Sequence, residues 1–380
     1  MSDHARAAAA LFDPDRLKLA REAAGLTKAA LAEAVGVTAT AIGQFENQQH
    51  RPSAATVAKL AWTLDVSPGY FASRARPVPL PTSEEAFFRS MRATTRRQRR
   101  QASARAAMLA EISLILEDEV ELPDLTLPPA AGLDENAMDD VVVKTAERVR
   151  EHLGLADRPA GHLVRLLETQ GVLVIRLPSE DGRVSAFSQW FGRRPVIVLQ
   201  NTDIARLRFD LAHELGHLVM HDEPDAGNAL LERQANLFAA NFLMPAHQLG
   251  SALPARFDLQ ALLALKQVWG VSIAALLYRS RELGCMTDAA YRNAAIKMSA
   301  TYGRKNEPRA LADTERPVLL WRAAQMIYGA DPADALAQAT HLPAARVLAL
   351  LNVAPAKPKV TPDLLLGDLD ARRKARGDRH

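Results

Sequence analysis

The residues most able to do chemistry lie in "RFDLAHELGHLVMHDE", Arg208 to Glu223, which packs three histidines and a flanked acid into one amphipathic segment. On a helix, His213 and His217 stand at i and i+4, so both imidazoles leave the same face one turn apart. That spacing suits one Zn²⁺ at about 2.0 to 2.1 Å per nitrogen. Glu214 is offset by one position, away from ligation but beside the open coordination position. There a carboxylate can take a proton from a zinc-acidified water and later deliver it to a leaving amine. A catalytic zinc takes a third protein ligand. Glu232, fifteen residues after His217 in "ERQANLFAANFLMP", is the candidate. Asn236 shares its helix face and is placed to accept the remaining N–H of His213 or His217.

A chance HExxH occurs in roughly one or two chains per hundred, so context has to carry the assignment. Leu207, Leu211, Leu215 and Leu218 make the segment one apolar helix face, on which the histidines would otherwise be buried without partners. Ala235, Phe238, Ala239 and Phe242 dock the second helix. His221 has three readings: ligand, stabiliser of the transition state, or surface imidazole. The last is the plainest.

The elements that must position these groups follow from the pattern. Helices are expected from Val141 to His152, Gly161 to Gln170, Asp203 to His221 and Ala229 to Leu243, the last stopped by Pro245. Three β-branched or aromatic runs, Gly171–Leu177, Val184–Phe191 and Arg194–Asn201, read as strands of an antiparallel meander. An extended peptide could then add to the edge at Arg194–Asn201. Upstream, Leu17 to Phe71 reads as four or five short capped helices. After Pro77, Pro79 and Pro81, Thr82 or Ser83 can cap a longer helix running to about Glu121. The fold class is therefore α+β and mostly α. The divisions are 1–76, a helical domain; 77–136, a linker with an arginine-rich helix; 137–285, the zinc unit with its small antiparallel sheet; 286–355, helical; and 356–380, a charged tail.

Composition bounds the rest. With 380 residues and 48% hydrophobic content the chain can bury more than one core. Cys285 is the single cysteine, which excludes a cysteine-based zinc cage and agrees with a reducing, cytoplasmic setting. The first thirty residues hold neither a cleavable signal pattern nor an apolar run long enough to span a bilayer, and no membrane partner is expected. Residues 1–73 carry seven Lys/Arg against seven Asp/Glu, whereas 74–105 carry nine arginines against Glu84 and Glu85. Arginines 89 to 105 either contact phosphates or form a solvated helix face paired with acids elsewhere.

Taken together, "RFDLAHELGHLVMH" and "ERQANLFAANFLMP", preceded by "VSAFSQWFGRRPVIVLQN", resemble the ImmA/IrrE family of zinc metallopeptidases from about Ala137 to Leu283. The resemblance implies His213, His217 and Glu232 as zinc ligands, Glu214 as general base, and cleavage of a partner transcriptional repressor, often under stress or prophage control. Tyr278 and Arg279 lie in the similar stretch as candidates to steady an oxyanion, with packing and a surface ion pair as their plainer roles. Leu17 to Phe71 resembles the XRE/Cro helix-turn-helix family. Thr27–Val35 would be its first helix, Gly36-Val37 the turn and Thr38–Asn47 the recognition helix. Ile42 and Phe45 then face the core, and Lys28, Thr38, Thr40, Gln44 and Asn47 are the DNA-facing candidates. Ala39, Thr40 and Gly43 offer little base readout, so a protein-interaction or dimerisation module is the alternative, with a homodimer through this domain or the arm.

The expected function is a DNA-binding regulator fused to a zinc endopeptidase. Two rivals stand beside it: a regulator whose zinc domain only senses or scaffolds, and a zinc hydrolase of a small amide. Glu214 argues for activity, because a structural site needs no base.

Overall fold

The computed structural model describes residues 3–73, 95–177, 186–221, 228–303 and 306–354. Its first helices are α1 (Asp3–Ala10), α2 (Pro14–Ala23), α3 (Lys28–Val35), α4 (Ala39–Glu46) and α5 (Ala54–Leu64), followed by a 3-10 turn, Pro68–Ala72. Thr27, Thr38 and Ser53 cap α3, α4 and α5 by accepting from the backbone N–H three residues on. Gly36 ends α3 in the left-handed conformation, which gives the tight turn into α4. Ile42 and Phe45 are buried, as expected for a recognition helix with its back to the core.

Helix α6 (Arg96–Glu117) starts at a capping box in which Thr95 and Gln98 satisfy each other's backbone N–H. The longer arm expected from Thr82 lies, as far as residue 94, outside the described residues. Its described part is no spacer: Ala102, Ala106, Leu109, Ile112 and Leu116 are buried. Among the described residues, only the first turns of α6 stay open to a partner such as a second copy.

Helices α7 (Asp139–His152) and α8 (Leu163–Thr169) lead to strands β1 (Leu173–Arg176), β2 (Ala186–Phe191) and β3 (Arg194–Leu199). The sheet is mixed, not the expected antiparallel meander. Its order is β1-β3-β2, with β1 parallel and β2 antiparallel to β3. The expected edge at Arg194–Asn201 is therefore the centre, bonded on both sides. Five of the six β3 residues are buried without polar alternation, the pattern of a strand covered on both faces.

The period of two sorts the strands between two cores. Leu173, Ile175, Phe187, Val196 and Val198 face α6 and the N-terminal helices. Val174, Ala186, Ile197 and Leu199 face the opposite layer. That layer holds α9 (Ile204–Met220), α10 (Ala229–Leu243), α11 (Ala246–Leu249), α12 (Leu259–Trp269), α13 (Ile273–Glu282) and α14 (Asp288–Tyr302). Helices α15 (Leu319–Tyr328), α16 (Ala333–Thr340) and α17 (Ala344–Leu350) return to the α6 side.

Three carboxylates clip this returning chain in place by filling helix N-termini, where unpaired N–H groups and the dipole favour an anion. Glu315 accepts from Leu163 and Val164 at α8, Glu307 from Ile273 and Ala274 at α13, and Glu168 from Val318 and Leu319 at α15. Arg208 also pairs with the fully buried Glu315. Among the described residues, no single helix is long and apolar enough to cross a membrane.

Candidate metal centre

Helix α9 begins at Asp203, whose side chain accepts from Arg206 N–H, and runs with its leucines in the core. Helix α10 begins at Asn228 and packs across it. The crossing is close because the fourth residue of HELGH is glycine. A Cβ on Gly216 would sit 2.9 Å from Phe238 Cδ1. This contact brings Glu232 to the two histidines.

His213 Nε2 and His217 Nε2 are 3.1 Å apart, and the Glu232 carboxylate lies 3.4 Å from the first and 3.5 Å from the second. A tetrahedral zinc with bonds near 2.05 Å separates its ligands by about 3.3 Å. The three donors therefore already stand at the spacing such an ion needs.

Hydrogen bonding fixes which ring nitrogens carry lone pairs. The Asn236 amide oxygen is 3.2 Å from His213 Nδ1, so that nitrogen is the donor and Nε2 holds the lone pair. For His217 the reasoning starts farther out. Gln234 Nε2 donates to the Asp134 carbonyl at 2.7 Å, which turns its oxygen toward His221 Nε2, 3.0 Å away. His221 thus carries its proton on Nε2 and accepts on Nδ1. That atom lies 3.0 Å from His217 Nδ1, which must donate. Two imidazole lone pairs and a carboxylate then converge on one point, an arrangement that a cation reconciles and a proton only partly does.

His221 is therefore not the surface imidazole of the sequence reading but a 4% exposed link in this chain. The helix ends at Met220, and His221 is already extended at φ −115° and ψ 123°. A helical wheel misplaces it, and the true conformation swings its ring back to His217. Sequence reasoning also missed Gln234, a polar residue on the face that α10 buries.

It missed Ser188 as well. This fully buried hydroxyl on β2 donates to Glu214 Oε2 at 2.7 Å. The strand period carried the signal: Ser188 shares the face of Ala186, the face toward α9.

The charges are displaced in mutually consistent directions. Burial pushes Glu214 up to about 7, and the neighbouring Glu232 and Asp210 carboxylates add to it against His213 and Ser188. Asp210 is likewise lifted to about 7 by burial. Burial also acts upward on Glu232, but the hydrogen bonds from His213 and His217 outweigh it and hold it at about 2. His217 falls to about 4 through burial. His213 moves upward although burial opposes it, because Glu232, Glu214 and Asp210 surround it.

A cavity of about 820 Å³ opens from Glu232 and Asn236 between α9, α10 and α13, with Phe209, Asp210, Met244 and Tyr278 on its walls. Tyr278 is half exposed and meets Tyr291 edge-on, so it borders this space without joining the histidine cluster. Arg279 is buried, not a surface ion pair. It holds Asn241 at 2.6 Å, the Met244 carbonyl and Glu282.

On the N-terminal unit, Lys28 pairs with Glu46 at 3.2 Å, and Thr38 spends its hydroxyl oxygen capping α4. Thr40 and Asn47 are exposed and Gln44 is half-buried, so these three form its open face.

Comparison with known families agrees with this architecture. Residues 167–281 match the family described as the IrrE N-terminal-like domain, and residues 17–71 match the helix-turn-helix family. No curated protein matches the chain. The two matches support a DNA-binding regulator joined to a metallopeptidase-like domain.

Proposed function

We propose that the metallopeptidase-like domain is a working zinc endopeptidase that cuts a partner protein, a transcriptional repressor in the reading that the family resemblance favours. His213, His217 and Glu232 are the zinc ligands of this proposal. Zinc on that set supplies Lewis acidity, acidifying a water and polarising a carbonyl.

Glu214 carries the proposal. Its carboxylate stands next to the ligand cluster, is held by Ser188 and is lifted to about 7, where it both accepts and returns a proton near neutral pH. A purely structural site would have no use for a buried acid there. In the proposed reaction Glu214 takes the proton of the attacking water and passes it to the departing amine nitrogen. Asn236 and the His221–Gln234 pair hold the two imidazoles in their ligating tautomers.

The substrate segment enters through the cavity bordered by Phe209, Asp210 and Tyr278. It does not pair along Arg194–Leu199, which is the middle of the sheet. A cavity of this size takes an unfolded segment rather than a folded surface, which fits narrow endoproteolysis.

The test compares the cellular proteomes of wild type and Glu214→Gln while measuring metal content. The proposal expects zinc to be retained and one or a few new N-termini to vanish, with turnover reduced by about 10²–10⁴. A Glu214→Gln strain with zinc, an unchanged proteome and an intact regulatory phenotype would leave the domain a sensor or scaffold.

A further inference from the structure

Four arginines stand in the first two turns of α6, and the sequence leaves open whether they meet acids or phosphates. The described residues offer them no acid. Arg96, Arg97 and Arg100 are exposed, and none of them or Arg99 pairs with an acid among the described residues. They also sit at the wrong end of their helix. A helix N-terminus favours anions, yet the first turn of α6 holds no acidic residue.

Their position follows from how α6 crosses the helix-turn-helix unit. Arg16 near the start of α2 pairs with Glu111 at 2.7 Å, while Arg105 and Gln101 donate to the Ala23 carbonyl at its end. The helices thus run antiparallel, and Gln101 lies against Gly25. Residues 96–100 continue past the end of α2, beside the Gly25–Leu26 turn that leads into α3 at Lys28. In a helix-turn-helix this first motif helix crosses the nucleic-acid backbone while the second enters the groove.

We infer that Arg96, Arg97 and Arg100 form a phosphate clamp that extends the DNA-contacting surface of the helix-turn-helix onto α6. The inference rests on the DNA-binding reading of residues 17–71. The clamp supplies what that unit lacks. Its formal charge is zero over 1–73, and its Arg16, Arg21 and Lys28 are already paired with Glu111 or Glu46. Arginines on a backbone carry no base code, so the clamp adds affinity and register rather than sequence choice.

The test uses the full chain and a labelled DNA duplex of mixed sequence, with affinity measured across a salt series. Each phosphate contact contributes about 0.9 to the slope of log K against log salt, so Arg96, Arg97 and Arg100 all changed to Gln should lower the slope by about 2.7. The corresponding triple change to Lys should keep it, and Gln44→Ala should leave it unmoved. Thermal melting of the Gln variant should not fall, since it removes cations from a helix N-terminus. An unchanged slope in the Gln variant overturns the clamp while leaving DNA binding by the domain intact. An equal loss in the Lys variant overturns it too, because charge would then not be the cause. No salt-dependent binding by wild type overturns the clamp and the DNA-binding reading together.

Discussion

Changing Gln234 to Leu should weaken zinc binding although Gln234 touches no ligand atom. Its amide oxygen is the acceptor for His221 Nε2, and its amide nitrogen is pinned to the Asp134 carbonyl. With leucine there, His221 has two ways to respond inside a site where it is 4% exposed. It can keep its Nε2–H buried and unpaired, at about 1–3 kcal/mol. Otherwise it moves the proton to Nδ1, facing His217 Nδ1 at 3.0 Å, and so forces the His217 proton onto the nitrogen that should ligate. Both routes cost the same order of free energy, and outer partners of metal-bound histidines are worth about 10- to 100-fold in affinity. Competition against a chromophoric chelator at fixed pH measures the effect, and nitrogen chemical shifts of His217 report its tautomer. Gln234→Glu separates the two halves of the contact. A carboxylate still accepts from His221 but cannot donate to Asp134, so zinc affinity should survive. Zinc affinity unchanged in Gln234→Leu, or lost equally in Gln234→Glu, would refute the relay.

Ser188→Ala removes the hydroxyl that donates to Glu214, so Glu214 should hold its proton to higher pH. The acid limb of a kcat/KM profile then moves upward while zinc content stays constant, and an unmoved limb would show the hydroxyl to be idle. Gly216→Ala places a methyl 2.9 Å from Phe238 Cδ1 and should cost about 1–3 kcal/mol in denaturant unfolding, with loss of zinc as α10 is displaced. Glu168 is raised from 4.5 to about 7 by burial, so the folded state holds its proton where the unfolded state has lost it. Its contribution to stability is therefore present below about 4.5 and lost as pH rises to about 7. His217, lowered from 6.5 to about 4, acts in the opposite direction over nearly the same window. Only the difference between wild type and Glu168→Gln is diagnostic. It should change by on the order of 1–3 kcal/mol across that window in the metal-free protein, and a flat difference would sink the assignment.

The parts legible in the sequence are those that local rules decide. The α10 bounds, Ala229–Leu243, follow from its apolar stripe, the Asn228 cap and Pro245, and α9 follows from its leucine face. The sheet order was not legible, because turn-like residues between strands look alike in a hairpin and a crossover. What the sequence did carry was the unbroken burial signature of "RPVIVL", which belongs to a central strand and points away from a meander. His221 failed for a different reason: the chain leaves the helix one residue before it, so periodicity no longer applied. Gln234 required knowing which helix face met which neighbour, which the helix crossing settles and spacing does not, while the strand period put Ser188 on the face of Ala186 without saying that α9 covers it.

The way α6 is used decides how the two functions can be separated by experiment. One side of this helix holds α2 through Arg105, Gln101 and the buried Arg16–Glu111 pair. The other side covers Leu173, Ile175 and Phe187, and Ser103 donates to Gln189 at 2.8 Å. Gln189 is the neighbour of Ser188, with its side chain on the opposite face of β2, so adjacent residues bind the DNA-side layer and Glu214. A cut anywhere between 73 and 137 therefore strips an apolar layer from one half. It either leaves the α6 side of the sheet bare or leaves Arg16 buried beside no acid, a break of the kind that costs several kcal/mol. Point substitutions in the full chain, on Glu214 for the proposed chemistry and on the α6 arginines for the proposed clamp, test the two separately without disturbing this shared core.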